Sequence, residues 1–127
     1  MKAYPHLLID GIYHRRLTAA ELREWMPYLA REIGLTPYGE TQIAFEIPVH
    51  PWGISSYEFV MGAIQPVAES HLALEYMRPP HFSFDVFACV EIDRALVKRI
   101  LLEHFQIKEI TWADVIRRGP EMAERAV

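Results

Sequence analysis

The sequence predicts an α+β fold: a two-layer α/β sandwich with an antiparallel sheet and two main helices on one face. Two segments repeat apolar residues at helical spacing, and each follows a residue that can cap a helix. Shorter segments alternate apolar and polar residues, which is typical of strands with one buried face. The predicted order is strand, helix, three strands, helix, strand, and this order favours an antiparallel sheet packed against helices.

The first strand and the first helix are predicted in the first 34 residues. Apolar side chains at positions 7–9, 12 and 13 indicate the strand. Thr18 and Glu21 have the spacing of a capping box. Apolar residues then recur every three or four positions as far as Ile33, and Gly34 is placed to end the helix.

The middle of the chain predicts three strands and one further extended segment. Residues 43–47 and 70–76 alternate between apolar and other side chains. Residues 84–92 have an unbroken apolar face, which makes this the clearest strand of the chain. Residues 57–64 form the further extended segment.

A second helix and a last strand complete the prediction. Asp93 can cap the helix, whose apolar stripe reaches Phe105. Residues 107–112 predict the last strand, and the chain from residue 117 onward is expected to be a surface tail.

The composition is that of one globular domain. The 127 residues suffice for a single core, and the hydrophobic share of 51% is typical of a globular rather than a disordered chain. The net charge of −4 provides no basic surface, so we expect no nucleic-acid partner. The single cysteine, Cys89, excludes a disulfide framework. Because we see no signal-peptide pattern and no apolar run of membrane-spanning length, we expect a cytoplasmic protein with no membrane partner.

Residues 66–76 contain the side chains best suited to chemistry. From Ser70 onward this segment alternates as a half-buried strand does. Glu69, Ser70 and His71 offer three adjacent groups that can move a proton or attack a carbonyl. A strand whose polar side chains only face water would show the same pattern, so the residues alone leave both interpretations open.

Three short segments together resemble one protein family. Residues 68–74, AESHLAL, resemble the processing-site motif of the prokaryotic S-adenosylmethionine decarboxylases. Residues 84–89, FDVFAC, resemble a second family segment, and residues 6–10, HLLID, give a weaker match. The three matches follow the family's order with nearly its spacing, which makes the set more specific than any one of them.

The resemblance implies that the chain cuts its own peptide bond between Glu69 and Ser70. The Ser70 hydroxyl would attack the preceding carbonyl, and elimination from the resulting ester would leave a pyruvoyl group derived from Ser70. The single domain, 1–127, would then consist of a 1–69 β chain and a 70–127 α chain. The pyruvoyl group would serve as the electron sink, through a Schiff base and without a metal, for a small-molecule substrate with an α-amino acid group. The family also implies the same fold and a homodimer.

The resemblance assigns roles to two further residues. Cys89 matches the family cysteine, which assists processing and donates the proton that follows decarboxylation. It falls on the mixed face of the predicted strand, although a free cysteine is often only a small buried apolar residue. Glu75 stands where the family has a histidine that assists processing by acid–base chemistry; a glutamate can also take a proton.

The chain departs from the family pattern at two more places. Gly62, eight positions before Ser70, falls where the family has a second processing serine. Ser55 and Ser56 resemble the surroundings of that serine but lie further upstream. The family glutamate that holds the ribose of the substrate has no counterpart in residues 76–80.

Three functions therefore stay open. The family implies a decarboxylase of polyamine biosynthesis that acts on S-adenosylmethionine. The missing ribose glutamate and the carboxylate of Glu75 favour a basic amino acid, arginine or ornithine, as the substrate. Gly62 and Glu75 also fit an unprocessed relative that binds or regulates without catalysis.

Five other histidines show no metal-ligand spacing, and we expect them at the surface or in satisfied positions: His6, His14, His50, His81 and His104.

Overall fold

The computed structural model describes residues 4–46 and 59–117, with side chains described for residues 6–46 and 60–111. Within these ranges the chain forms six strands and two helices. They are β1 Tyr4–Tyr13, α1 Ala19–Glu32, β2 Gln42–Glu46, β3 Phe59–Val67, β4 Ser70–Met77, β5 His81–Ala88, α2 Arg94–His104 and β6 Ile107–Arg117.

The six strands form one antiparallel sheet in the order β2-β3-β4-β5-β1-β6. β4, which begins at Ser70, lies in the interior of the sheet between β3 and β5. β1 lies between β5 and β6, so strands from both ends of the described chain pair with each other. The α+β prediction is confirmed.

The hydrophobic core lies between one face of the sheet and the two helices. On the central strands every second side chain is buried: Leu72, Leu74 and Tyr76 of β4 stand opposite Val86, Phe84 and Phe82 of β5. The helices cover this face with Leu22, Met26, Leu29, Ala30, Val97, Ile100 and Leu101. Full burial of a Leu, Ile or Phe contributes roughly 1.5–3 kcal/mol. The register of β4 is therefore strongly specified, because a shift of one residue would turn its apolar side chains away from the core.

The opposite face of the sheet, here called the open face, is the one that α1 and α2 do not cover. It carries the alternate residues of the central strands, including His6 of β1, His71 of β4 and Asp85 of β5. These side chains are only partly buried. Polar groups from three neighbouring strands can therefore meet here.

Both helices begin where their capping residues predict. Thr18 accepts a hydrogen bond from the backbone N–H of Glu21, and the Glu21 side chain accepts one from the backbone N–H of Thr18. Asp93 accepts a hydrogen bond from Leu96 N at 3.2 Å at the start of α2. Gly34 follows α1 with a φ of 87°, a conformation that glycine adopts more readily than residues with a side chain.

The structure differs from the prediction at several element boundaries. The extended segment proves to be the strand β3, so four strands rather than three separate the helices. β5 ends at Ala88 rather than at residue 92, because its pairing with β4 stops at Ser70 and its pairing with β1 stops at His6. β6 is longer than predicted and reaches Arg117. Ile47, Ser55, Ser56, part of the extended segment and the predicted tail from residue 118 lie outside the described residues.

Candidate functional site

The predicted cleavage site lies in a tight hairpin. Val67 of β3 pairs with Ser70 of β4, and Ala68 and Glu69 form the turn between them. Ser70 has a φ of 150°, a backbone conformation that residues with a side chain rarely adopt. The residue after the predicted scissile bond is therefore conformationally strained.

The segment after α1 holds this turn in place. The Glu69 carboxylate accepts hydrogen bonds from Thr36 N at 2.8 Å and from the Thr36 hydroxyl at 3.1 Å. Ala68 N donates to Thr36 O at 2.8 Å, and Tyr38 N donates to Pro66 O at 2.9 Å. The backbone hydrogen bond from Thr36 is the main reason why the pKa of Glu69 lies below its usual range. The carbonyl of the predicted scissile bond thus lies in a turn that hydrogen bonds hold on both sides.

Ser70 contacts the imidazole of the residue that follows it. Ser70 Oγ lies 3.2 Å from His71 Nδ1. Neighbouring residues of a regular strand point to opposite faces, so a contact between their side chains is unusual. Here it accompanies the positive φ at Ser70. The hydroxyl that would attack Glu69 therefore has a group beside it that can take its proton.

His71 belongs to a cluster on the open face that the sequence analysis missed. His71 Nε2 lies 3.6 Å from Asp85 Oδ1, and His6 Nε2 lies 3.8 Å from the same oxygen. Phe87 separates the two imidazoles: it stacks on His71 with ring centroids 5.4 Å apart and meets His6 edge-on at 4.7 Å. Burial raises the pKa of Asp85, although the two histidines oppose this shift. His6, expected at the surface or in a satisfied position, is instead a partly buried member of this cluster.

The structure brings Cys89 close to Ser70. Ala88, the last residue of β5, pairs with Ser70, and Cys89 is the next residue along the chain. The Cys89 side chain is exposed and lies beyond the strand, not on its mixed face as predicted. Its exposure rules out the alternative that it fills a gap in the core.

Glu75 does not meet Ser70 within the uncleaved chain. The two residues are five positions apart on the same strand, which corresponds to roughly 17 Å and to opposite faces. Glu75 is exposed and stands between Gly62 of β3 and Ser83 of β5. This is the strict alternation that the strand pattern predicts, so any approach of Glu75 to Ser70 would require the strand to bend or the chain to open.

Comparisons with known proteins bear on the fold. No family model matches the chain, and no curated protein sequence matches it. A solved structure, the adenosylmethionine decarboxylase from Aquifex aeolicus VF5, superposes on 99% of this chain and 100% of its own with a TM-score of 0.60 and 16% sequence identity. The chain has the fold of an adenosylmethionine decarboxylase. The likeness extends over the whole chain, so it includes the helices and the sheet that carries Ser70.

A cleft of about 880 Å³ lies elsewhere on this adenosylmethionine decarboxylase fold. Asp10, Met77, Arg78, His81 and Glu109 are among its lining residues. Met77 ends the strand that Ser70 begins, about 23 Å away along β4. The cleft is therefore separate from the candidate site.

Two further observations concern metals and membranes. In the part of the chain that the structure describes, no three side chains of His, Cys, Asp or Glu are grouped so that they could hold a metal ion. The helices have 14 and 11 residues, and neither is long enough to cross a bilayer.

Proposed function

We propose that this chain is a pyruvoyl-dependent decarboxylase that makes its own prosthetic group by cutting between Glu69 and Ser70. The proposal rests above all on the contact of Ser70 Oγ with His71 Nδ1, at 3.2 Å, in a strained hairpin. A serine becomes a nucleophile when a neighbouring base can take its proton. Backbone strain of this kind costs roughly 1–3 kcal/mol, and cleavage of the bond before Ser70 would release it.

The proposed processing reaction needs only the chain and one water molecule. Ser70 Oγ bonds to the carbonyl carbon of Glu69, and the bond from that carbon to Ser70 N breaks to give an ester. Loss of the Ser70 Cα proton expels the Glu69 carboxylate and leaves a dehydroalanine. Water then hydrolyses this residue and releases ammonia. The products are fragment 1–69, with a free carboxylate, and fragment 70–127, with a pyruvoyl group at its start.

The surroundings of Ser70 suit a prosthetic group of this kind. When a pyruvoyl group is present at this position, it accepts the electrons that an amino acid leaves behind as it loses carbon dioxide. Cys89, exposed and one residue beyond the partner of Ser70, can donate a proton to the substrate carbon. Asp85 supplies a carboxylate near the same end of the sheet, where a charge-assisted hydrogen bond to the ammonium of a substrate is favourable.

S-adenosylmethionine is the first candidate substrate, and the resemblance suggests polyamine biosynthesis as the pathway. Arginine or ornithine is the second candidate, because Glu75 presents a carboxylate on the open face and no ribose-binding glutamate occurs in residues 76–80. If cleavage lets Glu75 approach the site, a second positive charge on the substrate would be favoured. A desolvated contact of this type contributes about 1.5–3 kcal/mol, or roughly ten- to a hundredfold in discrimination.

Release of carbon dioxide from four substrates tests this proposal. S-adenosylmethionine, arginine, ornithine and lysine are compared with wild type and with Glu75→Gln. If S-adenosylmethionine is decarboxylated faster than the other three and Glu75→Gln leaves this ranking unchanged, Glu75 does not select the substrate. A cleaved protein that decarboxylates none of the four would overturn the decarboxylase assignment.

The proposal includes a homodimer in the cytoplasm, as the resemblance implies. Light scattering of the purified chain during gel filtration tests the dimer. The chain could instead be a monomer at micromolar concentration and still cleave itself and decarboxylate a substrate. This result would contradict the proposed dimer but not the proposed chemistry.

A non-catalytic relative is the second candidate function. The ring of Phe45 occupies the space that a side chain at Gly62 would need, so a serine there would require this ring to move. A chain that stays intact would support a binding or regulatory role in place of catalysis.

A further inference from the structure

We propose that His71 is the base of the self-cleavage step, and that Asp85 and His6 orient it. The inference rests on the proposed self-cleavage and deepens it, since it assigns the proton transfer to a residue other than Glu75. Glu75 lies five positions from Ser70 on the other face of β4, whereas His71 already contacts the Ser70 hydroxyl.

The imidazole of His71 lies between the Ser70 hydroxyl and the Asp85 carboxylate. For Nδ1 to accept the Ser70 proton, the imidazole must be neutral and must carry its hydrogen on Nε2. Asp85 Oδ1 lies 3.6 Å from Nε2. A carboxylate on that side favours the tautomer with the hydrogen on Nε2 and leaves the lone pair of Nδ1 toward Ser70. The order hydroxyl, imidazole, carboxylate is the arrangement by which serine nucleophiles are activated on unrelated folds.

His6 and Phe87 lie beside the pair formed by His71 and Asp85. His6 Nε2 lies 3.8 Å from the same carboxylate oxygen, and Phe87 fills the space between the two imidazoles. His6 Nε2 and Asp85 Oδ1 are both buried, and neither has a hydrogen-bond partner among the described residues. The distances from Asp85 Oδ1 to the two Nε2 atoms exceed the usual hydrogen-bond length by less than 1 Å. Contacts between catalytic groups often shorten only when the reaction proceeds.

This arrangement has an energetic cost, because Asp85 Oδ1 is buried without a hydrogen bond. A buried polar atom without a partner reduces the stability of the folded chain. Asp85 Oδ1 is such an atom, although the Asp85 side chain as a whole is 32% exposed. A buried carboxylate oxygen without a hydrogen bond, close to the imidazole that contacts Ser70, fits a chemical role.

His71 carries one proton from the hydroxyl to the backbone nitrogen of Ser70 as the ester forms. The Ser70 Oγ proton passes to His71 Nδ1 as Oγ bonds to the Glu69 carbonyl carbon. When the bond between that carbon and Ser70 N breaks, His71 returns the proton to Ser70 N. The result is an isomer of the chain with an ester at Ser70, and nothing is oxidised or consumed. Asp85 and His6 touch no reacting atom and act as positioning residues.

The first test follows self-cleavage of purified full-length chains by intact mass. His71→Ala should cleave at least about a hundredfold more slowly than wild type, since general bases contribute 10²–10⁴-fold. Hydroxylamine, which cuts esters, should release no fragments from this variant because no ester forms. Added imidazole should restore part of the cleavage, which it would not do if His71 served only the fold. His71→Gln keeps a polar side chain should His71→Ala lose stability, and His81→Ala, an exposed histidine at the far end of β5, is the control.

The second test separates orientation from folding. Asp85→Asn and His6→Gln should slow cleavage, while Asp85→Asn keeps or raises the melting temperature because it removes a buried charge. A structural role would lower cleavage and melting temperature together. Wild-type cleavage in His71→Ala or His71→Gln would overturn this inference and leave the proposed self-cleavage intact. A wild-type chain that never cleaves would instead overturn the proposed function, and this inference with it.

Discussion

Glu75 of β4 stands directly opposite Gly62 of β3, and the ring of Phe45 covers the glycine. A Cβ at position 62 would lie 2.5 Å from Phe45 Cε1, which is closer than atoms pack in a folded protein. The two positions at which the sequence differs from the motif pattern that it resembles are therefore neighbours on the open face. Phe45 occupies the room that a serine at position 62 would require.

The first prediction concerns this pair. Gly62→Ser should reduce the free energy of unfolding by roughly 1–3 kcal/mol, the usual cost of overpacking. In a Phe45→Ala background the same change should cost less, because the ring is absent. Urea unfolding of the four proteins of this double-mutant cycle measures the difference. An equal cost in both backgrounds would show that Phe45 does not fill the space over Gly62.

The second prediction concerns Cys89. Cys89→Ala should lower decarboxylation strongly while changing the free energy of unfolding by no more than about 0.5 kcal/mol, because the side chain is exposed. Val90→Ala, the neighbouring exposed residue, is the matched control and should affect neither quantity. A loss of several kcal/mol in Cys89→Ala, as in core truncations, would make the cysteine structural.

The third prediction concerns the buried hydroxyl of Tyr76. Tyr76 is fully buried, and its hydroxyl oxygen accepts a hydrogen bond from Leu17 N at 3.1 Å. Burial raises the pKa of Tyr76 to about 12. Tyr76→Phe leaves the N–H of Leu17 without its partner and should cost about 1–3 kcal/mol. Thermal unfolding measures it, and a variant as stable as wild type would show that this hydrogen bond contributes nothing.

The fourth prediction concerns pH and the start of α1. Hydrogen bonds from Arg15, at 2.9 Å, and from Thr18 N lower the pKa of Glu21 to about 2. A glutamate in the unfolded chain titrates near 4.3, so the ionised form stabilises the fold above that pH. The contribution is lost as the pH falls from about 4.3 toward 2. The effect is modest because the pair is exposed and screened by solvent.

Urea unfolding across this pH range measures the contribution of Glu21. Glu21→Gln should lose less stability than wild type between these two pH values, since it has no carboxylate to protonate. Glu24→Gln, an exposed glutamate on the same helix, is the control and should follow the wild-type curve. Identical curves for wild type and Glu21→Gln would contradict the prediction.

The elements that the sequence predicted well are those whose signals are local. The capping box of Thr18 and Glu21, and the cap at Asp93, define the helix starts without any distant contact. The alternation after Ser70 gave the correct buried face of β4, because the side-chain period of a strand is a local property. The end of β5 depended on where its partner β4 begins, and this pairing is not visible in residues 84–92.

The candidate site was predictable only in part. Ser70, Cys89 and Asp85 lie in segments that resemble a family, and the structure places the first two close together. The cluster of His6, His71 and Asp85 depends on the register of β1 and β4 against β5, which no local pattern specifies. The contact of Ser70 with His71 could not be predicted for another reason. It accompanies the positive φ of Ser70, which breaks the regular alternation of side chains along a strand.

The intact mass of the purified wild-type chain, with Ser70→Ala beside it, tests the central claim most directly. Self-cleavage predicts two species, residues 1–69 and residues 70–127, the second lighter by one ammonia than a fragment that begins with a free serine. Ser70→Ala should stay at full length. A wild-type protein of full-chain mass after long incubation, without fragments even in hydroxylamine, would contradict self-cleavage, and a second fragment that begins with an intact serine would contradict the pyruvoyl group.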